Sequence, residues 1–180
     1  MISDDSRART GTDTAAAPWR HVLSILLLPA MVVVVVPSWI LSSRAATDLR
    51  WSAPWLVHSG RIVGILVLAA GLTLFAWCVW LFARVGRGTL APWDPTRRLV
   101  AAGPYRYVRN PMITGVATML LGEALFFGSA LIGVWLIAFV VVNHLYFLMS
   151  EEPGLERRFG SAYLEYRQQV PRWLPRRRRG

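Results

Sequence analysis

Apolar positions along the chain gather into four long runs rather than alternating with polar ones. Val22 to Leu41 carries no charge and approaches the ~20 residues that a membrane-spanning helix needs. Ile62 to Ala83 is also uncharged and ends at Arg84. Met112 to Phe127 is apolar apart from Glu123, and Ala130 to Met149 is apolar apart from Asn143 and His144. Only Gly128 and Ser129 separate the last two runs, which predicts a tight helical hairpin. Pro29 and Pro37 would kink the first run, a distortion that membrane helices tolerate. The pattern predicts an all-α bundle with four spans, at about 22–41, 62–83, 112–127 and 130–149.

A fifth helical pattern follows the last run. Leu155, Phe159, Ala162, Tyr163 and Tyr166 recur at helical spacing, which predicts a cytoplasmic amphipathic helix lying on the membrane. Residues 1–20 have no apolar period and read as a mobile tail. They make a poor signal peptide, because Asp4 and Asp5 stand where a basic region belongs. Residues 21–175 are expected to form one membrane domain, and 176–180 a basic tail.

Composition supports this reading. Hydrophobic residues make up 54% of the 180 and charged ones 17%, below the ~25% typical of soluble domains. The net charge is +10, and every basic residue is Arg. The Arg residues cluster before the first run, in the first two connections and at the C-terminus, and are absent between the third and fourth runs. The positive-inside rule therefore puts both termini and the second connection on the cytoplasmic side of the cell membrane. Runs such as Arg176 to Arg179 suit anionic lipid. No nucleic-acid-binding module accompanies them. Trp19, Trp39, Trp51, Trp55, Trp77 and Trp80 suit an interfacial belt. Cys78 is the single cysteine, which rules out an intrachain disulfide and multi-thiolate zinc sites. No metal site is expected.

Two cytoplasmic segments are richer in polar and turn residues than a connection requires. One runs from Arg97 to Pro111 and contains the turn signal Gly103-Pro104. Pro111 suits the first position of the third helix, with Asn110 as its N-cap. A helix start flanked by Arg109 is also a natural site for a ligand carboxylate. The other begins at Glu151-Glu152, a carboxylate pair that cannot ionise fully at a membrane boundary without compensation. Arg from the first segment, or a bound cation, would supply it. Glu123 and His144, costly in lipid, are expected to face the bundle interior. There is no dinucleotide fingerprint, phosphate-binding loop, nucleophile elbow or His-Glu-x-x-His.

Gly103-Pro104-Tyr105-Arg106-Tyr107-Val108-Arg109-Asn110-Pro111, then Glu151-Glu152, Leu155, Phe159-Gly160, Tyr163, Tyr166 and Val170-Pro171-Arg172, together resemble the isoprenylcysteine carboxyl methyltransferase and phospholipid methyltransferase family. The resemblance covers roughly residues 85 to 175. It implies a small membrane-helix bundle whose last two spans and C-terminal helix enclose S-adenosylmethionine. By resemblance, Arg98, Leu99, Val100 and Tyr105 line the cofactor pocket, with Asn110, Pro111, Met112, Ile113 and Glu151. Asn110 stands where the family usually has His, and Ile113 where it usually has Tyr. The stretch Phe147 to Ser150 lacks the cation with which the prenylcysteine enzymes hold the substrate carboxylate.

The expected activity is methyl transfer from S-adenosylmethionine to a lipid-like or amphiphilic acceptor. Glu152, Arg109 and Tyr105 are the catalytic candidates. If the acceptor needs a base, Glu152 ranks first, ahead of Tyr105 and His144. The rival expectation is a non-catalytic membrane scaffold or accessory subunit that keeps the family fold. Binding of the cofactor separates the two. The sequence does not fix the oligomeric state.

Overall fold

The computed structural model describes residues 27–43, 54–81, 84 and 101–173. Among these, every regular element is helical. Helix α1 spans Leu27–Ser42, α2 Pro54–Leu81, α3 Pro111–Phe127 and α4 Ala130–Tyr146. A widened turn, Phe147–Glu151, carries α4 on into α5, Glu152–Phe159. Helix α6 spans Ser161–Gln169. A short 3-10 turn, Gly103–Arg106, precedes α3.

All four apolar runs contain a helix, but two of these are long and apolar enough to cross a bilayer: Val57–Leu81 and the continuous Ala130–Phe159. The other two, Leu27–Ser42 and Pro111–Phe127, are shorter than 18 residues. The first run's opening residues, 22–26, lie outside the described residues. Large apolar side chains cover the outer faces of the long helices, with Leu66 and Ile137 each 64% exposed. Such faces suit hydrocarbon, not water. At the Arg84 end of α2, the Arg84 guanidinium lies 4.8 Å from the centre of the Trp80 ring.

The bundle is built around a glycine seam. Helices α2 and α3 run antiparallel, with Gly64 against Gly122 and Gly71 against Gly115. A methyl group placed on Gly71 would lie 2.7 Å from the Met119 backbone nitrogen, and one on Gly122 2.6 Å from that of Leu68. Only hydrogen side chains let the backbones approach so closely. In an apolar medium such close packing replaces the hydrophobic effect as the force joining helices. Phe75, Val116, Met119, Leu120 and Phe139 fill the adjoining core.

Helix α1 shows how the proline kink is absorbed. Residues Met31–Val35 form a π-turn in which the Val36 N–H bonds the Met31 carbonyl. In that widened register the Val32 carbonyl would take its bond from residue 37, but Pro37 has no N–H. Trp135 of α4 donates its indole Nε1–H to the Val32 carbonyl instead, at 3.1 Å. The proline thus creates an acceptor that ties α1 to α4.

The expected hairpin is present. Gly128, at φ 63°, ends α3 in the left-handed region, and the Ser129 hydroxyl accepts from the Ile132 N–H at the start of α4. Glu123 is buried, as the sequence led us to expect. The single amphipathic helix is not observed. The apolar period runs through Gly160, but this residue adopts φ 53°, ψ −129°, and splits the segment into α5 and α6. The break brings Tyr163 into the interior, while Ala162 is exposed.

Candidate functional site

The site forms where the segment before α3 meets the junction of α4 with α5. Tyr105 on the 3-10 turn is buried with Cys78 and Leu81 of α2. Gly103, at φ 55°, lets the chain turn beside Trp77 and Leu81. Tyr166 of α6 donates its hydroxyl to the Tyr105 carbonyl at 2.7 Å. The two polar segments are thereby joined across 61 residues.

The centre of the site is an ion-pair hub. Glu152 is 4% exposed, and one carboxylate oxygen, Oε1, accepts three N–H bonds. Arg109 Nη1 donates at 2.6 Å, Arg172 Nη2 at 2.8 Å and Arg172 Nε at 3.0 Å. Arg109 is thus the compensating cation that the carboxylate pair requires. Two further buried groups here, Arg109 Nε and the Tyr163 hydroxyl, lack a well-aligned partner among the described residues. Burial, then the nearby Glu152, raises the Tyr163 pKa above the usual phenol value, while Arg109 pulls the other way.

Glu151 behaves differently from its neighbour. It is exposed, yet the surrounding chain removes part of its solvation. That desolvation, together with the adjacent Glu152, pushes its pKa up to about 7. Neighbouring side chains on a helix diverge by about 100°. Glu152 therefore turns inward to the arginines while Glu151 stays exposed.

Glu152 sits at the centre of the ion-pair hub, with all three N–H donors on Oε1. Tyr105 is held well above the usual phenol value, mainly by burial and then by Cys78, so it keeps its proton near neutral pH. His144 Nδ1 accepts from Trp173 Nε1 at 3.0 Å, so His144 faces the C-terminal strap and not the bundle interior. Asn110 occupies the N-cap position of α3 and is buried, but its side chain makes no capping bond. Its carbonyl accepts the Thr114 hydroxyl at 2.9 Å.

Pro111 is buried, and Met112 and Ile113 are partly buried on the first turn of α3. Arg98, Leu99 and Val100 lie outside the described residues. Sequence reasoning attached no site role to Trp173 and noted Arg172 only as part of a resemblance. The signal available was Pro171, which ends the helix before them.

Beside Ile113 lies an apolar groove of about 340 Å³ between α1, α3 and α4, lined by Leu28, Val32, Val116, Phe139 and Val142, with Asn143 as a polar group at its wall. Its size lies at the low end of small-molecule pockets, and its lining suits an aliphatic chain.

Residues 59–162 match the phospholipid methyltransferase family. An uncharacterized protein of Haemophilus influenzae (strain Rd) is 35% identical over 63 residues, which is all of that protein and 35% of this chain.

Proposed function

Because the chain belongs to the phospholipid methyltransferase family, we propose that it is a membrane methyltransferase that uses S-adenosylmethionine to methylate a lipid-like or amphiphilic acceptor. The observation that carries this reading is the meeting of the Tyr105–Arg109 segment with Glu151-Glu152, all inside the matched stretch. A scaffold alone has no need for that polar set at a membrane boundary.

The donor set fits the cofactor. Its sulfonium and ammonium groups are cationic, and Glu151 offers a carboxylate that is open to a ligand and not committed to the arginine hub. Arg98, Leu99, Val100, Asn110, Pro111, Met112 and Ile113 complete the pocket in this reading. When bound, the cofactor supplies an electrophilic methyl group. Glu151 balances its charge, and the buried Tyr105 phenol packs the pocket floor. Holding donor and acceptor in line would supply up to about 7 to 11 kcal/mol of the barrier reduction. Glu152 and Arg109 hold Glu151 in place through the hub.

The acceptor's apolar part fits the groove beside Ile113, and lipid tails could reach it from the bilayer. The absence of a cation in Phe147–Ser150 favours an acceptor other than a prenylcysteine carboxylate. In this reading both termini and the site face the cytoplasm, as the Arg distribution favours.

Purified protein incubated with methyl-labelled S-adenosylmethionine and a native lipid extract should move label into the organic phase. No transfer, with the donor bound, would favour the accessory-subunit reading.

A further inference from the structure

Arg172, one of the residues that carry the family resemblance, lies past the matched stretch 59–162, and the chain returns there to the centre of the site. Three consecutive residues dock on three separate elements. The Arg109 backbone N–H donates to the Pro171 carbonyl at 2.9 Å. Arg172 grips Glu152 through two nitrogens. Trp173 donates to His144 at the end of α4. Val170, just before them, is buried. This strap therefore holds the start of α3 and the start of α5 together.

Glu151 is one residue from the hub. Gripping Glu152 from both sides fixes the helical frame from which Glu151 projects. The rare widened turn Phe147–Glu151, which ends at Glu151, is a register that packing must hold in place. We propose that Arg172 is a positioning residue of the methyl-donor site: together with Arg109 it clamps Glu152 and so directs Glu151 toward the cofactor. The proposal rests on the reading of Glu151 as the cofactor's counter-charge.

It has a second consequence. Glu152 makes Glu151 harder to ionise, and Arg172 offsets that negative charge at 2.8 Å. Among the described residues, Tyr105 on the 3-10 turn also interacts electrostatically with Glu151, and Arg109 shares the neutralisation of Glu152. Removing Arg172 leaves Glu152 less neutralised, so Glu151 should ionise at a higher pH. A residue that merely stabilised the fold would not move that midpoint.

The test is calorimetric titration of S-adenosylmethionine into full-length protein in detergent, from pH 6 to 8.5. Arg172→Gln should weaken binding about tenfold at pH 7, the effect of losing one charge-assisted contact. It should also raise the midpoint of the pH dependence by about half a unit. Arg172→Lys keeps the charge and loses the two-nitrogen grip, so it should bind more weakly at an unchanged midpoint. Arg167→Gln removes a half-exposed Arg of α6 that pairs with Glu156 at 3.6 Å, and should match the wild type.

Wild-type affinity and midpoint in Arg172→Gln would overturn the proposal while leaving the role of Glu151 standing. If Arg172→Gln fails to fold, Arg172→Lys decides, and unchanged affinity in that variant overturns the proposal. No binding by the wild type would overturn the reading of Glu151 itself, and the proposal with it.

Discussion

The glycine seam and the arginine hub each join elements that are distant in sequence, and they do so by opposite means. At the seam, Gly64, Gly71, Gly115 and Gly122 remove side chains so that two helices meet backbone to backbone. At the hub, Arg109, Glu152 and Arg172 meet through charge in a site that is almost closed to solvent. Hydrocarbon offers no hydrophobic reward for helix contact, so apolar helices that meet there rely on shape. At the end where the polar segments meet, charges can be held by partners, and the hub holds together the start of α3 and the start of α5. One region is built to stay fixed. The other presents a single carboxylate, Glu151, in a controlled state.

Breaking the hub should have the largest effect. Glu152→Ala leaves two guanidinium groups facing each other without their carboxylate, and Arg109 has a side chain only 9% exposed. Uncompensated buried charge of this kind costs about 3 to 5 kcal/mol. The thermal unfolding midpoint should drop by about 10 °C. A midpoint within a degree of the wild type would show that the hub is not formed in the membrane.

The seam comes next. Gly71→Leu forces a side chain into the Met119 backbone and should cost about 1 to 3 kcal/mol. This loss should persist at high salt, whereas hub variants should respond to it. Equal salt responses would erase the contrast between the two regions.

A smaller effect is expected at the proline kink. Trp135→Phe removes the indole N–H that the Val32 carbonyl accepts. Bonds of this type between membrane helices average about 0.6 kcal/mol. Thermal unfolding in detergent should register that decrement. A drop as large as that of Gly71→Leu would mean that α1 depends on Trp135 for more than this bond.

Glu151 gives the smallest effect on stability and the clearest effect on binding. Its pKa is raised from 4.5 to about 7 in the folded protein. The folded chain therefore holds this proton more tightly than the unfolded chain, and the group's contribution to stability decreases as pH rises from about 4.5 to 7. Binding of a cation runs the other way, because it needs the ionised carboxylate. Affinity for S-adenosylmethionine should rise as pH passes from 6 to 8. A flat profile would remove Glu151 from the site.

Much of this architecture is legible in the chain. The runs ending at Phe127 and beginning at Ala130 coincide with α3 and α4, because Gly128 and Ser129 stop and start helices by known backbone rules. Helix α2 begins at Pro54, eight residues before its apolar run, since the polar turns around His58, Ser59 and Arg61 extend the helix without extending its apolar stretch. The break at Gly160 is invisible to periodicity, because side-chain spacing continues through a residue whose backbone does not. The seven-residue spacing of Gly64 with Gly71 and of Gly115 with Gly122 was present as a signal for the seam.

At the site, the need for an Arg opposite the carboxylate pair was readable from charge alone. That Glu152, and not Glu151, takes it depends on helix phase. That Arg172 shares it depends on the chain folding back, which no local pattern encodes.

The measurement that tests the central claim most directly is titration of S-adenosylmethionine and S-adenosylhomocysteine into wild-type and Glu151→Ala protein in detergent at pH 7.5. The account predicts micromolar binding by the wild type and loss of S-adenosylmethionine binding in the variant, with both proteins unfolding at similar temperatures. Equal binding by both would show that Glu151 does not hold the methyl donor. Absence of binding by folded wild-type protein, with native lipid extract also present, would contradict the methyltransferase reading itself.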